Sequence, residues 1–470
     1  MRYFSTRNKS EGVSFARAAL TGLAPGGGLF VPQEIPVYRE AVRASLGDMD
    51  LCDIAFETIR PYVEGDIPGA ALEELVRGAF SFPAPLTAAG DRPVLELFHG
   101  PTAAFKDFGA RFMARAFAYL RRQETRPLRI LVATSGDTGG AVAEGFFGVE
   151  GISVTVLYPK GRVSPLQEKQ IAGLGGNISA LAVEGSFDDC QRLVKAALTD
   201  GALRRRCDLS SANSINVSRL IPQAVYYAAA AGKALAGRLD ADGEATPRAG
   251  AGNGGEVRGP FAPVRGRPAV FCVPSGNFGN LTAGLYAMKM GAPIRRFIAA
   301  TNINRTVPDY LESGDYQARQ SQATLSNAMD VGAPSNFERM AALFSHGEMR
   351  KAILGVSVTD GETRETIADV YRRRGYFLDP HSAVGWKGAD KLYAAGLLTD
   401  SGNGGQDTGR DGPCPLIVLS TAHPAKFAET VEAAAGAAVS LPPSLARAMD
   451  RTVSARTIPA VTEALLEALA

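Results

Sequence analysis

The chain has 470 residues, 46% of them hydrophobic and 21% charged, which excludes a fibrous or wholly disordered protein and allows two or three domains with sizeable cores. Fifty basic residues stand against 48 acidic ones, a net charge of +2, so there is no basic field to hold nucleic acid or a membrane surface. Five cysteines (Cys52, Cys190, Cys207, Cys272 and Cys414) are odd in number, far apart and never spaced C-x-x-C, which argues for reduced thiols and against a disulfide frame or zinc site.

In chain order, the N-terminal MRYFSTRNKSEG carries no apolar h-region, and no apolar run approaches the roughly 20 residues that cross a bilayer, so a cytoplasmic protein is expected. Residues 1–92 are helix-biased around a turn of three glycines, Gly26, Gly27 and Gly28, and read as a separate N-terminal domain. VLELF (94–98) reads as a strand and 107–122 as a helix. RILVAT (129–134) is a strand, followed by a Gly-rich turn and the helical AVAEGFFG. SVTVLYP (153–159) leads to the helix PLQEKQIAGLGG, and ISALAV (178–183) to SFDDCQRLVKAALTD, capped by Ser186. PAVFCVP (268–274), LTAGLYAMKMG, RRFIAAT (295–301) and LIVLST (416–421) continue the alternation. Apolar strands alternating with helices predict an α/β protein whose mainly parallel sheets are covered on both faces. Residues 238–267 and 399–413 are rich in Gly, Pro and polar groups and poor in large apolar ones, so they read as flexible insertions without chemistry.

An internal echo carries the first functional signal. ILVATSGDTGGAVAEGF (130–146) and VFCVPSGNFGNLTAGLY (270–286) share a strand, a Ser-Gly-[Asp/Asn]-x-Gly turn and a helix. Such a turn converges backbone N–H groups on a helix start, a cradle for an anion. One copy would read as a sterically required tight turn. Two copies, each at the C-terminal end of a predicted parallel strand, favour two anionic groups held side by side. Other motifs are absent. There is no G-x-x-x-x-G-K-[ST], no G-x-G-x-x-G after a strand and no H-E-x-x-H, and His99, His346, His381 and His423 are scattered, so nucleotide and metal sites are not expected.

The second signal is HGPTAAFKDFGARFMARAF (99–117), where Lys106 stands at a loop-to-helix junction between Phe105 and Asp107. A helix N-terminus and partial burial both disfavour an ammonium, which frees the amine as a nucleophile or Schiff base. An arbitrary lysine there would be a surface residue, but the flanking Phe105 and Phe108 argue against that. A Schiff-base lysine beside an anion cradle implies pyridoxal phosphate.

HGPTAAFKDFGARF, TSGDTGGAVA, YPKGRVSPLQEKQ, SANSINVSRL, VPSGNFGNLTAG, IAATNINRTVP, TLSNAMDVGAPSNFER and TAHPAKF together resemble the threonine synthase family, from about Tyr3 to Val431. SFARAALTGLAPGGGLFVP narrows the resemblance to the bacterial and fungal subgroup with an N-terminal extension. The resemblance implies the tryptophan-synthase-β type of fold (fold type II): two open, mainly parallel α/β domains plus a helix-rich N-terminal one. The expected division is 1–92, a large cofactor domain from 93–128 and 268–470, and a smaller domain from 129–237. It further implies pyridoxal phosphate as cofactor and the conversion of O-phospho-L-homoserine and water to L-threonine and phosphate, by a monomer or homodimer.

By the same resemblance, Lys106 is the Schiff-base lysine and later the base. Ser275, Gly276, Asn277, Phe278, Gly279 and Asn280 cradle the cofactor phosphate. Ser135, Gly136 and Thr138 face the substrate carboxylate, and Asp137 the cofactor's ring oxygen. Asn213 and Arg219 hold the substrate phosphate, and Thr421 meets the pyridine nitrogen. Read alone, Asn213 is equally a helix cap, Arg219 an ion-pair residue and Thr421 a strand-end turn residue. One departure stands out: relatives of the wider fold often have Asn where Asp137 stands. A carboxylate beside a phenolate-like oxygen must share a proton or turn away. Two rival readings use the same residues: a phospho-lyase ending in a 2-keto acid, and a silent binding protein, against which the intact Lys106 argues.

Overall fold

A computed structural model describes residues 1–240, 261–398 and 415–469. Its largest sheet has six strands in the order β11 (Ile353–Ser357), β10 (Ile294–Thr301), β9 (Ala269–Pro274), β12 (Leu416–Ser420), β4 (Arg92–Glu96) and β3 (Leu86–Ala89). All neighbours are parallel except the β3–β4 pair. A second, wholly parallel sheet runs β13 (Arg456–Pro459), β7 (Ile178–Glu184), β6 (Ile152–Pro159), β5 (Leu128–Ala133) and β8 (Asp208–Ser211). A small antiparallel pair, β1 (Tyr3–Ser5) and β2 (Phe30–Pro32), lies near the N-terminus. Strands such as AVFCVP and LIVLS are buried along their whole length, as strands covered on both faces must be.

Three differences from the sequence expectation have physical reasons. Residues 86–89, assigned to the N-terminal region, pair with β4 and belong to the six-stranded sheet. The C-terminal segment does not stay with that sheet either: Arg456–Pro459 joins the five-stranded sheet beside β7. The polar DLSS segment forms an edge strand because β5 offers it an unpaired backbone ladder, not because its residues favour strand. Of the two proposed insertions, residues 241–260 of the first and all of the second, 399–413, lie outside the described residues. The flanks are tied down: Asp240 pairs with Lys233, and Phe261 is buried with the Arg92 guanidinium 4.5 Å from its ring.

The N-terminal helices Phe15–Thr21, Leu51–Val63 and Gly69–Ala79 present Ala18, Ile59, Val63, Leu72 and Val76 to a core that also contains residues of both sheets. This layering brings the C-terminal ends of β5, β9 and β12 together. Beyond β5 and β9, helices Asp137–Phe146 and Gly279–Lys289 begin, so two helix N-termini face one place. Beyond β4, the chain loops to helix Lys106–Leu120.

One buried arginine fastens the N-terminal pair to this assembly. Arg339 is fully buried; its Nε donates to Phe30 O at 3.1 Å and its Nη2 to Ile215 O at 2.7 Å. Its other terminal nitrogen donates to Asn336 Oδ1. Replacing it with alanine removes a donor from one buried and one partly buried carbonyl and opens a cavity. We expect Arg339→Ala to lower unfolding free energy by about 3 kcal/mol or more, read from the denaturant midpoint. A change within about 0.5 kcal/mol, typical of a surface substitution, would refute the fastening role.

Candidate active site

The approach to Lys106 is stitched to the chain beyond β12. Phe105 N–H donates to Thr421 O, His423 N–H to Ala103 O, and Ala104 bridges to Ala422. Ala103 is held in the left-handed region at φ 54°, one of two non-glycine residues so placed among the described residues; the other is Phe278 at φ 60°. Both sit in the loops that shape this site, where the surrounding contacts outweigh the backbone strain. Lys106 opens helix Lys106–Leu120 with its side chain 14% exposed and its Nζ 3.4 Å from Asp137 Oδ2. Burial lowers the proton affinity of its amine, Asp137 opposes that shift, and Lys426 and Arg219 add to it. Next to it, the Asp107 carboxyl is pushed up to about 6 by burial, against hydrogen bonds from Thr102 N–H and Oγ1.

The loop 275–280 has the form of an anion cradle. Only Ser275 N–H makes a backbone bond, to Ala300 O; the N–H groups of the next five residues have no partner among the described residues. A Cβ on Gly276 would stand 2.7 Å from Ala328 O, so glycine is required where segment 326–331 presses on the loop. Asn280 Oδ1 accepts from Tyr226 OH at 2.6 Å and Tyr227 OH at 2.8 Å, while its Nδ2 is buried without a partner. Asn277 braces the loop by donating to Ser214 Oγ and accepting from Ser335 N–H. In the other copy, Thr134 Oγ1 accepts from Gly136 and Gly139 N–H. Gly136 lies against Gln167 and is not a lining residue.

Every other site residue singled out from the sequence borders one cleft: Lys106, Ser135, Asp137, Thr138, Asn213, Arg219, Ser275, Gly276, Asn277, Phe278, Gly279, Asn280 and Thr421. Their bonding differs from expectation in places. The Asn213 amide bonds Ala133 at both ends, donating to its O at 2.7 Å and accepting from its N–H at 3.2 Å. Asn213 therefore ties β8 to β5. The cap of helix Val217–Leu220 is Asn216, not Asn213. Arg219 makes no ion pair among the described residues. Its Nη1 donates to Ala212 O at 2.6 Å, its buried Nε has no partner, and burial lowers its affinity for a proton to about 10. Gly109 lets the Arg219 backbone pack against the helix of Lys106.

Four residues went unassigned from the sequence. Lys426, with its side chain 0% exposed, has its Nζ 2.8 Å from Asp137 Oδ1. Gln167 donates to the same oxygen at 2.9 Å. Burial alone would raise the Asp137 carboxyl, but Lys426 and Lys106 hold it well below the usual carboxylate range. His381 borders the cleft with Nδ1 2.7 Å from Asp379 Oδ1, and its Nε2 accepts from Ala328 N–H. Ser214 completes the wall. Lys426 lies in the TAHPAKF motif, but nothing in one sequence pairs it with Asp137.

These residues fit pyridoxal phosphate. The loop 275–280 offers unbonded N–H groups for its phosphate, the buried Asn280 Nδ2 lacks a partner, and Lys106 offers the amine. Residues 94–403 match the family model of pyridoxal-phosphate dependent enzymes, 2–80 that of the threonine synthase N terminus, and 403–469 that of the threonine synthase C-terminal region. The chain is 40% identical over 466 residues to threonine synthase of Escherichia coli K12, covering 99% of this chain and 98% of the relative. The chain belongs to the threonine synthase family. The crystal structure of threonine synthase from Escherichia coli superposes with a TM-score of 0.83 at 39% identity, covering 100% of this chain and 99% of that one. The pyridoxal-phosphate-bound threonine synthase of Brucella melitensis gives 0.82 at 35%, covering 100% and 98%. The two open, mainly parallel sheets expected from the sequence are those of this family. Among the described residues no helix is long and apolar enough to cross a membrane, and no group of three or more His, Cys, Asp and Glu is placed to hold a metal.

Two buried lysines flank Asp137, so the identity of the reacting amine is a sharp question. Borohydride reduction of the cofactor-loaded protein followed by peptide mapping is expected to place the pyridoxyl group on Lys106. A pyridoxyl group on Lys426 would overturn the assignment.

Proposed function

We propose that the chain is a threonine synthase, converting O-phospho-L-homoserine and water to L-threonine and phosphate. The observation that carries this reading is one cleft lined by a single lysine amine, Lys106, together with a backbone anion cradle and a separate cationic group, Arg219. Two anion sites suit a phosphorylated cofactor and a phosphorylated substrate together. When bound, pyridoxal phosphate supplies an electron sink at the substrate's α-carbon. Loop 275–280 would hold the cofactor phosphate, and the Thr421 hydroxyl would lie at its ring nitrogen. Lys106 would take the α-proton and return protons along the carbon chain. Its partly buried amine is suited to this because burial favours the uncharged form.

Arg219 would hold the substrate phosphate through its unbonded Nε and remaining Nη donors. The charge on that group rises as the Cγ–O bond breaks, so the contact strengthens toward the transition state. Asn213 would act beside it as a brace for the strand ends rather than as a free donor. The free thiols Cys190, Cys207 and Cys272, all buried, support a reducing, cytoplasmic setting.

Incubation with phosphohomoserine is expected to release phosphate and threonine in equal amounts. Release of 2-oxobutyrate in place of threonine would favour the phospho-lyase, and absence of turnover the silent binder. A charge-assisted hydrogen bond contributes about 1.5–3 kcal/mol, so Arg219→Ala is expected to lower kcat/KM roughly 10- to 150-fold. Arg219→Lys recovers only part of it, because an ammonium lacks the fork. Cofactor absorbance stays unchanged in both. Near-normal turnover of the alanine variant, or loss of its cofactor, would show that Arg219 has another role.

A further inference from the structure

The Asp137 carboxylate is shared unequally between two lysines. Oδ1 lies 2.8 Å from Lys426 Nζ and accepts from Gln167 Nε2 at 2.9 Å, while Oδ2 reaches Lys106 Nζ only at 3.4 Å. Lys426 also donates to Thr102 O at 2.8 Å, on the loop that leads to Lys106. It stands in the short turn Pro424–Phe427 with its side chain sealed from solvent and does not line the cleft. A sealed ammonium is held only where an anion and hydrogen-bond acceptors satisfy it, and here the carboxylate and the carbonyl do so.

The arrangement answers a problem that a carboxylate creates beside a reacting lysine. Facing Lys106 alone, buried Asp137 would draw it into a tight ion pair whenever the amine carried a proton. It would also stand as an uncompensated buried charge whenever the amine did not. With Lys426 fixed on the opposite oxygen, the Asp137–Lys426 pair is neutral in every state of Lys106. We propose that Lys426 is a positioning residue: its buried ammonium is the permanent counter-charge of Asp137, which lets that carboxylate aim Lys106 toward the cofactor without trapping it. This rests on the reading of Lys106 as the residue that carries the cofactor.

The charged groups facing Lys106 and Asp137 are Lys426, Arg219 and His381, and of these only Lys426 is in contact with the carboxylate; Asp107 faces Lys426 and Arg219 from the helix of Lys106. The test is a pH titration of cofactor absorbance in the loaded protein, which needs no turnover. In Lys426→Met, Asp137 is left to favour a positive charge on the Lys106 nitrogen, so the midpoint moves upward by about one pH unit or more. In Asp137→Asn, the remaining Lys426 moves it downward. The double variant Asp137→Asn with Lys426→Met buries no unpaired charge and returns toward the parent midpoint, the two opposite shifts cancelling.

A merely structural lysine would lower thermal stability and leave the midpoint in place; that result overturns the proposal. If Lys426→Met does not fold, the comparison of Asp137→Asn with the double variant decides. Different midpoints support the counter-charge and identical ones refute it. Phosphohomoserine turnover is measured separately, so failure of the reaction and failure of this charge assignment are told apart.

Discussion

A lysine amine that is buried and must still react depends on how its charge is managed. At Lys106 every neighbouring element contributes to that. The amine opens a helix, where the dipole disfavours a cation, and it is largely withdrawn from water. Asp137 opposes both effects from the start of another helix, and Lys426 and Gln167 hold Asp137 in place. Three chain segments far apart in sequence, around residues 102–106, 134–138 and 421–426, therefore have to meet within hydrogen-bond distance. The parallel sheets deliver them. β4 and β12 are neighbours in one sheet, and β5 is an interior strand of the other.

The same economy shapes the two Gly-rich loops. They look like copies in sequence, yet they differ in use. The loop 275–280 keeps its backbone donors unbonded and is held from outside by Ala328, Ser335 and the tyrosine pair. In the loop after β5, the Thr134 hydroxyl takes up two of the N–H groups, and a carboxylate stands at the helix start. One loop leaves its backbone donors open; the other carries its own carboxylate. Left-handed Phe278 and Ala103 mark where the backbone is forced into place to achieve this.

Much of this was legible in the sequence because it is local. Runs such as RILVAT and LIVLST declare buried parallel strands, and the loop glycines and Lys106 at its helix start declare the site. What was not legible is long-range. β8 and β13 are short and polar and become strands only because a partner ladder is available. Asn213 sits in a motif that suggests a ligand contact, but the amide closes on Ala133, across a strand pair that no local pattern reveals. Lys426 and Asp137 are far apart in the chain, and a buried lysine in an alanine- and proline-rich turn resembles a surface residue until its partner is seen.

If the cleft works as an amine-centred eliminator, the substrate bond that breaks is Cγ–O, and water enters at Cβ. Turnover of phosphohomoserine in heavy-oxygen water reads this directly by mass spectrometry of both products. The expected result is one heavy oxygen on the hydroxyl of threonine and none in the released phosphate. Heavy oxygen in the phosphate, with unlabelled homoserine as the other product, would mean that P–O rather than C–O is cleaved. The arrangement of Lys106, Arg219 and the anion cradle would then have been misread.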